Sequence, residues 1–355
     1  MAKDTMKAVV FKGPYKVAIE DRPIPRIQDA TDIIVKVDKA CLELRYYQIY
    51  PNYHVDGAVR QVQLYPQCIN QTAVDWQSEL HTYRGHQPSD TGFIMGHEFT
   101  GHITEIGSSI KKLQVGDRVV TPFTVSCSEC FYCTHGYSSR CAKSQLFGSA
   151  GLDGGQAEYV RVPLADSSVA KAPDGVKDEV LVLMADIFPT GWFAVNNAFK
   201  ELSKEEIGES TVVLVGCGPV ALCALVNLVD YKPKNILAVD SVPSRLELAK
   251  SLGAEPWNFM QDREGLDKRV KELTDGRGAD VVVEVVGLSP ALKMGFELLR
   301  PWGVISSVGV HNAEIPWTGN EAYGKNLRIQ MGRCPVRSVF PQALEKLREH
   351  QDKLG

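Results

Sequence analysis

No window of this 355-residue chain offers the long uncharged apolar run of a membrane helix. The opening "MAKDTMKAVVFKGPYKV" interleaves charges with alternating apolar residues and lacks the apolar centre of a signal peptide. A large excess of one charge is also missing, since 39 Lys and Arg against 43 Asp and Glu leave a formal net charge of −4. That balance gives neither nucleic acid nor an anionic membrane a reason to be the main partner. Internal repeats and low-complexity stretches are absent as well. These absences make the cytosol the expected address. There, nine cysteines read as metal ligands or small buried hydrophobes rather than disulfides.

What is present is enough apolar sequence, 44% of residues, for two domains that each bury a core. Up to about Ala170 the texture is of short strands broken by Gly, Pro and Asp, as in "KAVVFKG", "DIIVKVD" and "DRVVTPF". Beyond Asp186 strands alternate with helical patterns. "STVVLVG" precedes "PVALCALVNLVD", "NILAVD" precedes "VPSRLELAKSLGA", and "ADVVVEVVG" precedes "SPALKMGFELLR" and "GVISSVGV". This βαβ rhythm predicts a parallel sheet with crossover helices and puts the domain boundary near "DIFPTGWFAV". The closing "FPQALEKLREHQDKLG" reads as an amphipathic helix.

"VVLVGCGPVALCA" places Gly216 and Gly218, then Ala221, between a predicted strand and a predicted helix opened by Pro219 and Val220. Such a turn lets backbone N–H groups approach a pyrophosphate at a helix N-terminus. Asp240 ends the next strand, where a carboxylate accepts hydrogen bonds from the adenine-ribose hydroxyls and repels a 2′-phosphate. Arg245 stands nearby, a guanidinium able to serve that phosphate, so NAD is favoured over NADP with this one reservation. A separate run, "CSECFYCTHGYSSRC", carries Cys127, Cys130, Cys133 and Cys141. Four thiolates this close in sequence suit a tetrahedral zinc with no open position, a structural site.

The glycine turn, the four cysteines and "GHEFTGHITEIG" together resemble the zinc-containing medium-chain alcohol and polyol dehydrogenases, and the resemblance covers nearly the whole chain. It implies an α/β protein with a GroES-like β-rich catalytic domain over residues 1–188 and a doubly wound Rossmann domain over 189–334. Residues 335–355 would begin a truncated return to the catalytic domain. The implied activity is NAD-dependent interconversion of an alcohol and its carbonyl, with a catalytic zinc as Lewis acid, in a homo-oligomer (dimer or tetramer). By the same resemblance His97, Glu98 and Asp186 match the catalytic-zinc positions, with Glu98 the acid beside the ligand histidine. Ser78 and His81, in "SELH", match the residues that bond the substrate hydroxyl and carry its proton outward.

One match fails. The family's first zinc-binding cysteine falls two residues before Ser78, where this sequence has Trp76, followed by Gln77 for the family's glycine. Counted from the strand "IIVKV", the ligand position falls near Glu43, so an insertion over about residues 43–76 splits the motif. Translated non-coding sequence and a lid supplying a substitute ligand (Cys41, Glu43 or Cys68) are both open readings. Three functions compete accordingly: a zinc-assisted dehydrogenase impaired by the lost ligand, a zinc-independent NAD(P)H carbonyl reductase, and a non-catalytic nucleotide-binding or defective product.

Overall fold

β1 (Thr5–Gly13) and β2 (Lys16–Pro23) pair as an antiparallel hairpin. A five-stranded antiparallel sheet follows, in the order β6-β3-β4-β5-β7. Its members are β3 (Ile33–Ala40), β4 (Phe99–Ile106), β5 (Arg118–Thr121), β6 (Tyr159–Val162) and β7 (Ala170–Lys171). The structure is a computed structural model that describes residues 4–40, 82–85 and 87–354. Cys41, Glu43, Cys68, Trp76, Gln77, Ser78 and His81, and with them the proposed insertion, lie outside the described residues.

Alternation along the strands puts Ile33, Val35, Phe99 and Ile103 into one core with Val119, Phe147 and Val160. Phe99 meets Phe147 edge to face at 5.2 Å between ring centroids, a geometry that contributes about 0.5–1.5 kcal/mol beyond area burial. β3 and β4 approach so closely at Gly101 that a Cβ there would stand 2.1 Å from the Lys36 carbonyl oxygen. Only glycine fits.

The chain divides into two compact units, Met1–Pro189 with Pro335–Gly355, and Thr190–Cys334. The second unit holds a six-stranded parallel sheet in the order β10-β9-β8-β11-β12-β13. Its strands are β8 (Thr211–Val215), β9 (Asn235–Asp240), β10 (Glu255–Asn258), β11 (Ala279–Glu284), β12 (Leu299–Ser307) and β13 (Arg328–Met331). Helices Pro219–Asp230, Pro243–Ser251, Arg263–Leu273 and Ser289–Leu298 connect them. Strands buried on both sides explain the near-continuous apolar runs in the sequence. Val212 and Leu214 join one core while Val213 and Val215 join another, as a period of two requires for opposite faces.

The closing helix, Val336–Leu354, belongs to the first unit and starts four residues before the predicted span. Its buried residues Val336, Phe340, Ala343, Leu347 and His350 repeat at helical spacing. Among the described residues no helix is long and apolar enough to cross a membrane.

Candidate active site and metal centres

His97 and Glu98 sit immediately before β4, at the edge of the first unit's core, and are 4% and 1% exposed. Gly96 makes their approach possible. Its φ is +98°, and a Cβ there would stand 2.5 Å from Gln156 Cγ. On the other side of the site, Phe123 donates its backbone N–H to the Ala185 carbonyl at 2.9 Å. That bond brings the segment ending in Asp186 alongside the end of β5. The Phe123 ring also stands edge-on to the His97 imidazole at 6.1 Å. Phe123 ends the strand run "DRVVTPF", where only its aromatic character hints at a role.

The result is a side-chain meeting across 89 residues, with His97 Nε2 3.2 Å from Asp186 Oδ2. Two ligand atoms each about 2.0–2.1 Å from a tetrahedral zinc stand about 3.3 Å apart, so the pair fits two corners of such a site. Asp186 follows a short 3₁₀ turn, with φ −148° and ψ −68°, and its carboxylate is directed at the imidazole. Glu98 Oε1 lies 3.4 Å from the Ile187 backbone N–H, which ties the acid to the residue following Asp186. Histidine, aspartate and a neighbouring glutamate offer the nitrogen and oxygen donors zinc accepts. Of the sequence-predicted catalytic residues, the structure brings together His97, Glu98 and Asp186. Ser78 and His81 are outside the described residues.

The four predicted cysteines converge. Their sulfurs all lie within 4.8 Å of one another. Thiolates about 2.3 Å from a shared tetrahedral zinc would be about 3.8 Å apart, so the cradle fits the ion with little movement. Ser128 adopts a left-handed φ of 57°, turning the chain between Cys127 and Cys130. Backbone N–H groups then point at sulfur: Cys127 and Lys143 donate to Cys141 Sγ at 3.2 and 3.3 Å, and Cys130 donates to Cys127 Sγ at 3.4 Å. Backbone N–H groups of Ala142 and Cys133 hold the Cys130 thiol down to about 6. Burial pushes Cys133 up to about 12 and raises Cys141 as well. A divalent cation held by the four cysteines would remove that conflict by favouring the thiolate at each.

In the second unit the strand-turn-helix runs from β8 through Gly216 and Gly218 into the helix Pro219–Asp230. Gly216 takes φ +98°, and a Cβ on it would stand 2.8 Å from Val286 Cγ2. Gly218 is the helix N-cap, and a Cβ there would meet nothing within 4 Å. That space is open to a phosphate. Pro219 occupies the first helical turn, where its missing N–H costs nothing, and Val220 follows with an N–H among the orphan donors. Asp240 ends β9 and is 7% exposed. It accepts from Cys217 N at 2.8 Å and from Ser241 N and Val242 N at 2.7 and 2.9 Å. Arg245 Nη1 lies 3.4 Å from the same carboxylate. The guanidinium is thereby drawn toward Asp240. This turn fits a dinucleotide.

Comparison with known proteins follows the same division. Residues 60–174 match the family described as the alcohol dehydrogenase GroES-like domain, and residues 219–349 match the zinc-binding dehydrogenase family. The zinc-type alcohol dehydrogenase B of Aspergillus flavus is 63% identical over 353 residues, 99% of this chain and 75% of that protein. An alcohol dehydrogenase structure from a Thermus species is similar with TM-score 0.79 and 30% identity, covering 97% of this chain and 89% of that one. An Escherichia coli alcohol dehydrogenase solved with NADH is similar with TM-score 0.75 and 25% identity, over 98% of this chain and 88% of that one. With a GroES-like domain, a Rossmann-type sheet and these relatives, the chain belongs to the zinc-containing medium-chain alcohol dehydrogenase family.

Proposed function

We propose that this protein is an NAD-dependent oxidoreductase that interconverts an alcohol or polyol with its aldehyde or ketone. The observation that carries the reading is the part-buried pairing of His97 Nε2 with Asp186 Oδ2 at 3.2 Å. Family membership supports it, and so does a glycine turn that leaves room for a phosphate beside Asp240. His97 and Asp186 would hold a catalytic zinc, with Glu98 next to it. Cys127, Cys130, Cys133 and Cys141 would hold a structural one. When bound, zinc supplies the Lewis acidity that favours an alkoxide, and the dinucleotide takes up the hydride.

The chain's own residues do the rest. Backbone N–H groups after Gly216 and Gly218 bind the pyrophosphate, and Asp240 orients the adenine ribose and repels a 2′-phosphate. Ser78 accepts the substrate hydroxyl and His81 passes its proton to solvent, roles the sequence resemblance alone assigns. We place the protein in the cytosol, as a homo-oligomer with small-molecule alcohols or carbonyls as partners.

The test measures zinc content, NADH binding and turnover with a panel of alcohols and carbonyls on the purified chain. NADH binding is the expected result, with NAD-linked turnover that is weak while the thiolate is missing, tracks any zinc beyond the four-cysteine ion, and is abolished by His97→Ala. Turnover that survives with only the four-cysteine ion present would instead favour zinc-independent carbonyl reduction. Failure to bind NAD(H) at all would overturn the reading.

A further inference from the structure

At the carboxyl edge of the parallel sheet, beside the glycine turn, a second buried polar cluster joins two loops. Glu284 ends β11 and is fully buried. One of its oxygens, Oε1, accepts the backbone N–H groups of Val286 and Gly287 at 2.8 and 2.7 Å. The other, Oε2, accepts the Ser307 hydroxyl at 2.6 Å and meets His311 Nε2 at 3.0 Å. Ser307 ends β12, and His311 lies just beyond it with a side chain 8% exposed. Ser307 Oγ and His311 Nε2 are themselves 3.1 Å apart.

A Ser–His–acid set invites comparison with a hydrolytic triad, but the wiring differs. The imidazole presents the same nitrogen to the serine and to the carboxylate, so no base and orienting acid stand on opposite sides of the ring. The Ser307 hydroxyl donates its hydrogen bond to Glu284, and the one imidazole nitrogen near it faces the same carboxylate, so no base is placed to activate it. The arrangement is that of a clamp. One carboxylate is saturated by two backbone N–H groups from the loop after β11 and two side-chain groups from the end of β12 and the segment beyond it.

Those loops touch. A Cβ on Gly287, at φ +82°, would stand 2.5 Å from Val310 N, and one on Gly309 would stand 2.1 Å from Gly287 N. The first loop also reaches the dinucleotide turn, because Val286 and Val285 are the atoms a Cβ on Gly216 would meet, at 2.8 and 3.4 Å. Within the sheet Glu284 pairs directly with Val215, the residue before Gly216. Open parallel sheets take their ligands outside the carboxyl ends of the strands, which is where these loops lie. A buried carboxylate is tolerated where its lone pairs are met, and here both loops supply the donors that meet them.

We propose that Glu284, Ser307 and His311 are positioning residues for the dinucleotide: they fix the loops after β11 and β12 in the spacing that the bound cofactor requires. The proposal rests on the cofactor reading above. The discriminating substitution is Glu284→Gln. It keeps the shape and leaves a carbonyl oxygen for Val286 and Gly287, but it puts an amide NH₂, a donor, where Ser307 and His311 need an acceptor.

The experiment titrates NADH by fluorescence into wild type and Glu284→Gln, with thermal melts of both proteins free of cofactor and KM values for NAD and for an alcohol. We expect the NADH Kd to rise roughly 10-fold, about 1.4 kcal/mol, with KM for NAD rising alongside and KM for the alcohol unchanged. His311→Leu should act in the same direction, and His311→Gln, which restores a donor, should recover part of the loss. If Glu284→Gln does not fold, Ser307→Ala and His311→Leu carry the same measurement. Unchanged NADH affinity in these folded variants overturns the proposal and leaves the cluster a structural stitch. Wild type that binds no NADH is a different result, since it removes the cofactor reading itself and this inference with it.

Discussion

Asp240 is recognisable in the sequence as an acid at the end of a strand following a glycine turn, but its neighbours are not. In the structure its carboxylate is almost out of solvent and accepts three backbone N–H groups, one from Cys217 inside the turn. It therefore shapes the turn as well as standing where we propose that it meets the ribose. Asp240→Gly should narrow the preference for NADH over NADPH by removing charge repulsion and ribose hydrogen bonds. It should also cost stability, because buried N–H groups lose their acceptor at about 1–3 kcal/mol each where water does not replace it. Fluorescence titration of both dinucleotides with a parallel melt checks this, and a native preference for NADPH would refute the assignment. Single-residue chemistry was legible wherever it came with a local pattern, as with Gly216 and the four cysteines. His97 and Asp186 lie 89 residues apart, and no spacing rule joins them. Only the family resemblance did. The Glu284 clamp had neither aid, since Glu284 ends β11 while Ser307 ends β12 with His311 beyond it, and their meeting depends on sheet register.

At the scale of elements, legibility tracked how strongly each segment repeats. β8, β9, β11 and β12 carry apolar runs, and each was readable from them. β10 was not, because "EPWN" has no β-branched residue and forms only against β9 at the sheet edge. The helix Arg263–Leu273 is equally faint in the sequence. It buries only Leu266 and Val270, and its start is fixed by Asp262 accepting from Gly265 N at 2.7 Å. The four-cysteine lobe is the opposite case. Its helices are a single turn each, Phe131–Thr134 and Ser138–Arg140, too short to hold themselves together. Zinc binding should supply that order directly. Cys130→Ser should lose one zinc per chain and lower the melting temperature, and a strong chelator should do the same to wild type. Full zinc content with unchanged melting would sink the assignment.

For the whole molecule, the decisive feature is a departure from the family. By the family resemblance Trp76 falls where a thiolate is expected, and an indole cannot ligate zinc. A catalytic zinc ordinarily has three protein ligands, and His97 with Asp186 gives two. Activity of the chain as it stands should accordingly be weak. Deleting residues 43–75 and making Trp76→Cys and Gln77→Gly restores both the spacing and the donor ahead of Ser78. A thiolate adds charge and geometry at once, and metal binding would then order the surrounding segment. The repaired chain should gain a second zinc and NAD-linked alcohol turnover at least 10-fold above the parent, a difference of about 1.4 kcal/mol in barrier. His97→Ala in that background should abolish the gain. Two zinc ions and full turnover in the unrepaired chain would count against this argument, and would direct mutation to Cys41, Glu43 and Cys68 as the source of a replacement ligand. If repair recruits no metal, then the defect is not the missing thiolate, and the wider catalytic domain must be what limits the site.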